Sequence, residues 1–241
     1  MVATENTERE VLRVSSLWKH FAGVKALDGV DLEVARGSIV GVIGPNGSGK
    51  TTLLNAITGV VRADGGVVQV GDRSWTTLPP AQVMRYGIAR TFQNIRLFDG
   101  MTVAQHLEVP YISRGKKQGV SVEAVLAATG LESHADKLAT TLSYGGQRRV
   151  ELARALAGAP TFLLLDEPAA GLNNKETDSL REDLLKLSVD YDCGIVLIDH
   201  DVNLIMRTCS RVVVLNEGKV ISQGEPSAVR SDPLVVEAYL G

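Results

Sequence analysis

Cysteine is almost missing from this chain, with Cys193 and Cys209 as the whole supply. They form no C-x-x-C pair and are too few for a disulfide framework, so both are expected as buried, reduced thiols of a cytosolic protein. No apolar run reaches the 18 or so residues of a membrane span, and the polar start at 3–10 has no signal-peptide pattern. The chain is therefore expected not to enter a membrane by itself. A basic excess is missing too: 25 Lys and Arg against 28 Asp and Glu give a net charge of −3, which argues against chain-wide attraction to nucleic acid or anionic lipid. Internal repeats and low-complexity segments are absent, so solenoids and arrays are set aside. What remains, 44% apolar and 22% charged among 241 residues, has the make-up of an ordinary soluble globular protein large enough to bury a core.

One stretch stands out against that background: Gly44-Pro45-Asn46-Gly47-Ser48-Gly49-Lys50-Thr51. It fits G-x-x-x-x-G-K-[ST], a loop whose backbone N–H groups point at phosphate oxygens, whose lysine reaches the outer phosphates and whose hydroxyl ligates magnesium. A buried strand at 38–43 precedes it and a helix at 51–58 follows. The N-terminus of that helix adds partial positive charge where phosphates would sit.

Taken in order, 11–17 and 30–34 read as strands, the second with period-two alternation. Between them, Trp18 to Gly23 reads as a loop with two aromatics, of which Phe21 is expected in the core rather than on a base. Asp64-Gly65-Gly66 marks a turn before a strand at 67–70, Pro79-Pro80 opens a short helix to Tyr86, and a strand at 88–92 ends at Gln93. From Ile95 to about Thr141 the pattern turns helical, with segments at 103–112 and 122–129 split by a polar, basic link at 113–119. We read this as a helical subdomain inserted into an α/β core, and the link as solvated loop. Leu142-Ser143-Tyr144-Gly145-Gly146-Gln147 then leads into a helix at 148–157.

The apolar strand at 161–165 delivers Asp166-Glu167-Pro168 at its C-terminal edge. In a parallel sheet that edge lies beside the phosphate loop, where an aspartate can hold magnesium and a second carboxylate can polarise water. Asn173 or Asn174 caps a helix to Val189 with Leu180, Leu184 and Leu187 on one face. A strand at 195–198 ends at Asp199-His200-Asp201, so His200 faces the same crevice as Lys50 and Glu167. A helix at 202–209, a hairpin of 212–215 with 220–223, and a helix at 234–240 complete the chain.

The order of phosphate loop, strand-end glutamine, Leu-Ser-x-Gly, Asp-Glu-Pro and strand-end histidine resembles the ATP-binding subunit of ABC transporters from Val11 onward. The implied fold is an α/β P-loop ATPase core with an antiparallel β subdomain (11–94 and 158–241) and an inserted helical subdomain (95–157). The resemblance moves Phe21 from core to adenine stacking. It places Gly44, Asn46, Gly47, Ser48, Gly49, Lys50, Thr51 and Thr52 on ATP, with Thr51, Gln93 and Asp166 on the Mg2+ side. Glu167 becomes the general base or water-orienting group, and His200 a contact to the γ-phosphate. Ser143 and Gly145 reach the ATP of an opposing subunit, so the implied active unit is a head-to-tail dimer, of like or related subunits.

Within that family, Arg90 to Phe98, Asp166 to Asn173 and the terminal Ala238-Tyr239-Leu240-Gly241 resemble importers of branched-chain amino acids. In this sequence Tyr144 replaces the usual signature glycine, Gly146 stands where glutamine is usual, Asp199 precedes the histidine in place of glutamate, and the helical insert is shorter. The implied partners are membrane permeases, a second ATPase subunit and, indirectly, a solute-binding protein, with the chain peripheral on the inner face of the cytoplasmic membrane and no nucleic acid. Two alternatives stay open: an ABC ATPase for another small solute, of amide or urea type, and a non-transport member acting on DNA or ribosomes. Against the latter stand a short Lys50-to-Asp166 interval without heptads and a single cassette.

Overall fold

The computed structural model describes residues 10–114 and 120–240, so the polar start before Glu10, residues 115–119 of the basic link and Gly241 lie outside the described residues. Strand β1 (Val11–Phe21) turns directly into β2 (Val24–Ala35), with Phe21 paired to Val24. Both turn residues, Ala22 and Gly23, have positive φ (42° and 92°), the geometry that matches the twist of a two-residue hairpin. This corrects the reading of 18–23 as a loop: the two strands run on to a tight turn.

The next strand, β3 (Ile39–Ile43), feeds the glycine-rich loop and helix α1 (Lys50–Ile57). A hairpin of β4 (Gly65–Val70) and β5 (Arg73–Trp75) follows, then α2 (Pro80–Arg85) with proline in its first turn, and the short β6 (Ile88–Arg90). Three helices come next: α3 (Val103–Arg114), α4 (Val122–Thr129) capped by Ser121, and α5 (Tyr144–Ala157). Helix α5 starts at Tyr144 rather than Arg148, because the Ser143 side chain caps it by accepting the N–H of Gly146 at 3.2 Å.

Beyond it lie β7 (Phe162–Asp166) and α6 (Asn174–Asp190), which Asn173 and Glu176 open with a reciprocal capping box. Then come β8 (Gly194–Ile198), α7 (Val202–Thr208), the hairpin β9 (Arg211–Asn216) and β10 (Lys219–Gly224), α8 (Pro226–Arg230), and α9 (Pro233–Leu240). The sequence reading had not resolved β5 or α8.

Two sheets result. One is antiparallel, ordered β2-β1-β4-β5; the other is ordered β10-β9-β3-β8-β7-β6, parallel except for the β10 edge. Every residue of β3, β7 and β8 is buried, which is why these strands read as unbroken apolar runs. Their side chains divide by period two. Ile39, Leu163, Leu165, Ile195 and Leu197 pack toward α3–α7, while Val40, Leu164, Val196 and Ile198 pack toward α1 and the antiparallel sheet. Val103 and Leu107 of α3, Val125 of α4 and Val150 of α5 share the first of these clusters, so the helical segment is packed onto the sheet rather than tethered to it.

The register sets the site. Val42 of β3 and Asp166 of β7 both pair with Ile198 of β8, so three strands end at one level. The loops that leave them therefore start side by side at one edge of the sheet.

Candidate active site

The loop after β3 is shaped by two glycines. A Cβ on Gly44 (φ 151°) would meet the Leu215 carbonyl oxygen at 2.0 Å, and one on Gly49 (φ 109°) would meet that of Ala26 at 2.4 Å. No other side chain fits either place. The Gly218 N–H, in the turn between β9 and β10, donates to the Ser48 carbonyl at 3.0 Å and ties down the loop's far side. Helix α1 has no side-chain cap and no acidic residue in its first turn, so its leading N–H groups face an incoming anion without a competitor. Lys50 is buried and folds along the loop, its Nζ donating to the carbonyls of Gly44 at 2.7 Å and Pro45 at 2.9 Å. Burial pushes its ammonium pKa down; the facing charges of Glu167 and Asp166 push it up. Thr51 and Thr52 sit in the first turn, Thr51 exposed.

At the end of β7, Glu167 takes a left-handed φ of 52°, costly for a non-glycine residue and held by its N–H bond to the Ile198 carbonyl at 2.8 Å. Its carboxylate is gripped from both sides. Oε1 lies 2.6 Å from Nε2 of His200, and Oε2 accepts from Nε2 of Gln93 at 2.8 Å. Three residues picked from separate strand ends thus converge on one carboxylate. Asp199 organises the loops around it, accepting the N–H of Ala169 and of Asp201, each at 2.9 Å. Burial raises its pKa, partly offset by those two N–H donors.

Asp166 is nearly buried, and its Oδ2 receives Nη2 of Arg90 at 2.7 Å. Thr51, Asp166 and Gln93, whose amide nitrogen is engaged with Glu167, offer oxygen donors of the hard type that magnesium prefers. Among the described residues no group of three or more His, Cys, Asp or Glu could cage a metal by itself. That donor set fits a cation held by one or two side chains together with a phosphate, as magnesium is in phosphoryl-transfer sites.

Phe21 is 44% exposed, with Lys19 Nζ 5.0 Å from its ring centroid, so the composition-based placement in the core is overturned. Ser143 and Gly145 stand apart from this group. Among the described residues no hydrogen bond joins them to the loop 44–52; Ser143 is exposed, and a Cβ on Gly145 would strike Oε1 of Glu176 at 2.7 Å. Gly145 thereby lets α5 abut the start of α6.

Three contributors escaped the sequence reading. Arg148, buried in α5, donates to the carbonyls of Phe92 (2.8 Å) and Gln93 (2.7 Å) and to Glu151 (2.9 Å), fixing the glutamine loop to the helix that Ser143 caps. Its signal was Glu151 at i+3 beside apolar Leu152. Tyr239 of α9 lies beside the backbone N–H of Gly44; burial pushes its phenol pKa up, partly offset by that N–H. Arg90 is the third.

Known proteins resemble this chain in both sequence and fold. The ABC transporter family matches residues 27–170, and a branched-chain amino acid ATP-binding cassette transporter family matches residues 219–241. The chain is 39% identical to the high-affinity branched-chain amino acid transport ATP-binding protein BraF of Pseudomonas aeruginosa, over 97% of this chain and 98% of that one. It is 40% identical to LivG of Escherichia coli, a protein of the same description, over 96% and 98% of the two chains. Among solved structures, an ATP-binding cassette of an ABC transporter in its ADP conformation superposes with a TM-score of 0.86 at 34% identity, over 96% of this chain and 99% of that one. A dimeric bacterial ABC transporter cassette superposes with a TM-score of 0.78 at 26% identity, over 89% and 98%.

Proposed function

The chain belongs to the ABC transporter family, and from that premise we propose that it is the ATP-hydrolysing subunit that energises import of branched-chain amino acids. The observation that carries the hydrolytic reading is the carboxylate of Glu167, held by His200 and Gln93 with the charge of Lys50 facing it. The substrate class rests on the likeness to BraF and LivG and on the match at 219–241.

In this reading the chain works as one ATPase unit, with 95–157 as its helical part. The backbone of Gly44 and Asn46 to Lys50 wraps the β- and γ-phosphates, Thr51 and Thr52 extend that grip into the first turn of α1, and Phe21 stacks on adenine. Thr51, Gln93 and Asp166 would hold magnesium, which offsets charge on the phosphates. Glu167 orients and deprotonates the attacking water, and His200 contacts the γ-phosphate while steadying Glu167. Positioning and charge stabilisation are what phosphoryl transfer needs most.

Ser143 and Gly145, which among the described residues make no hydrogen bond to this chain's own loop, complete the site of a second ATPase subunit arranged head to tail. The permeases seat in a groove of about 710 Å³ lined by Phe92, Arg96, Leu97, Phe98, Pro110 and Arg154, placing the chain on the inner membrane face. No helix among the described residues is long and apolar enough to cross a membrane.

The shared site is tested by complementation. Lys50→Met and Ser143→Arg subunits should each be inactive alone, while an equal mixture regains about a quarter of wild-type phosphate release, because half the dimers carry one intact site. No recovery on mixing would refute a head-to-tail dimer of like subunits. The transport reading predicts co-purification with two permeases whose reconstitution raises ATP turnover; co-sedimentation with ribosomes or DNA instead would overturn it.

A further inference from the structure

Arg90 ends β6 and pairs in register with Leu164, two residues before Asp166 on β7. Its side chain and that of Asp166 are 6% and 5% exposed, so the guanidinium is as buried as the carboxylate it meets. The fork is divided. Nη2 donates to Asp166 Oδ2 at 2.7 Å, whereas Nη1 donates to Asn55 Oδ1 at 2.6 Å and to Thr58 Oγ1 at 3.3 Å, at the end of α1. Thr58 is itself fixed, its hydroxyl donating to the Leu54 carbonyl at 2.6 Å. The Phe92 ring centroid lies 5.1 Å from the same guanidinium.

A buried ion pair is weak evidence for stability, since removing two charges from water offsets much of their attraction. What this pair does supply is geometry. Helix α1 carries Thr51 in its first turn, and β7 ends on Asp166, so two of the three oxygen donors on the magnesium side sit on different elements. A single planar fork spans those elements, one arm on each. Lysine has a point charge and cannot reproduce that two-way span.

We propose that Arg90 is a positioning residue that sets the spacing of Asp166 against α1, and so tunes how strongly a divalent cation strengthens nucleotide binding. The inference rests on the magnesium reading of Asp166 given above.

The test is equilibrium titration of the full chain with a fluorescent ATP analogue, in EDTA and in saturating magnesium, reported as the ratio of the two dissociation constants. Wild type should bind more tightly with magnesium, and Asp166→Asn should bring the ratio close to one. Arg90→Met should lower the ratio at least fivefold while the EDTA constant stays within twofold; Arg90→Lys should fall between. A merely structural arginine would move both constants together. Asn55→Ala leaves the buried ion pair whole and removes the shorter of the two α1 anchors, leaving only the 3.3 Å bond to Thr58, so it should lower the ratio at least twofold even if Arg90→Met fails to fold. An unchanged ratio in folded Arg90→Met, or in Asn55→Ala, with a collapsed ratio in Asp166→Asn, overturns this inference alone. Equal ratios in wild type and Asp166→Asn overturn the magnesium reading and this inference with it.

Discussion

Replacing Glu167 by glutamine removes one proton acceptor and almost nothing else. The side-chain volume is kept, and the backbone is fixed independently by the N–H bond to the Ile198 carbonyl (2.8 Å) and by the Ala170 N–H to the Glu167 carbonyl (3.2 Å). Gln93 keeps an amide oxygen to donate to at its 2.8 Å position. His200, 2.6 Å away on the other side, meets the new NH2 group by presenting its Nε2 lone pair, a change of tautomer rather than of position. The groups proposed to bind phosphate, Lys50 and the α1 amides, are untouched. A positioned general base contributes about 10²- to 10⁴-fold to a rate. At 1.36 kcal/mol per decade, that is about 3–5 kcal/mol of transition-state stabilisation. Steady-state phosphate release at saturating ATP should therefore fall by two to four decades, while binding of a fluorescent ATP analogue stays within about twofold. Glu167→Asp, one methylene shorter, keeps the charge but cannot reach both His200 and Gln93, and should lie between. Turnover above about a tenth of wild type in Glu167→Gln would refute the general-base role, because the loss would lie below the range for proton abstraction.

Three further outcomes follow from the same geometry. Phe21→Ala should weaken ATP binding about 5- to 150-fold, the equivalent of about 1–3 kcal/mol for one base stacked on an aromatic ring, and Phe21→Tyr should not; equal affinities for all three proteins would remove Phe21 from the adenine site. Arg148→Met strands Glu151, whose side chain is 1% exposed, at a cost of about 3–5 kcal/mol and roughly 10 °C in melting temperature. The double variant with Glu151→Leu should recover at least half of that fall, and identical melting curves for single and double variants would show that the stranded charge is not the cause. Burial pushes the thiols of Cys193 and Cys209 up to about 12, so a disulfide reagent at pH 8 should leave the native protein unmodified and react with two thiols after denaturation. Because the folded state holds these protons more tightly than the unfolded one, their contribution to stability is complete below the unfolded value of 9.0 and is lost as pH rises from there toward 12. Rapid labelling of the native protein would contradict that burial.

Where the sequence was legible, one local pattern had one physical cause. The strands β3, β7 and β8 are buried on both faces, so no polar residue interrupts their apolar runs and their ends could be placed within a residue or two. Where it misled, two causes competed. A two-residue hairpin turn is usually announced by Asn-Gly or Asp-Gly; here Ala22 takes the first left-handed position at φ 42°, and without the usual residue the turn looked like a loop. Gly145 and Gly146 carry low helix propensity and pushed the apparent start of α5 to Arg148. Tertiary packing prevails there: Gly145 is the only residue type that clears Glu176 without displacing it, and Ser143 supplies the cap.

The site divides the same way. That Glu167, His200 and Gln93 would meet was legible because each follows a strand of the parallel sheet, which brings strand ends together. Arg90 and Arg148 were not, because an arginine is ordinarily solvated and the groups that bury these two lie far away in sequence: Asp166 is 76 residues beyond Arg90, and Gln93 is 55 residues before Arg148. Yet period two already places Arg90 on the same face of β6 as buried Ile88, and that face packs toward α1. A charge on the buried face of a strand must have a partner, or the strand would not form there. The partner had to be an acceptor on a neighbouring element, and β7, with its terminal aspartate, is the strand beside it. Charges at positions that periodicity assigns to the interior are thus signals of long-range pairing, and in this chain both lead back to the loops around Glu167.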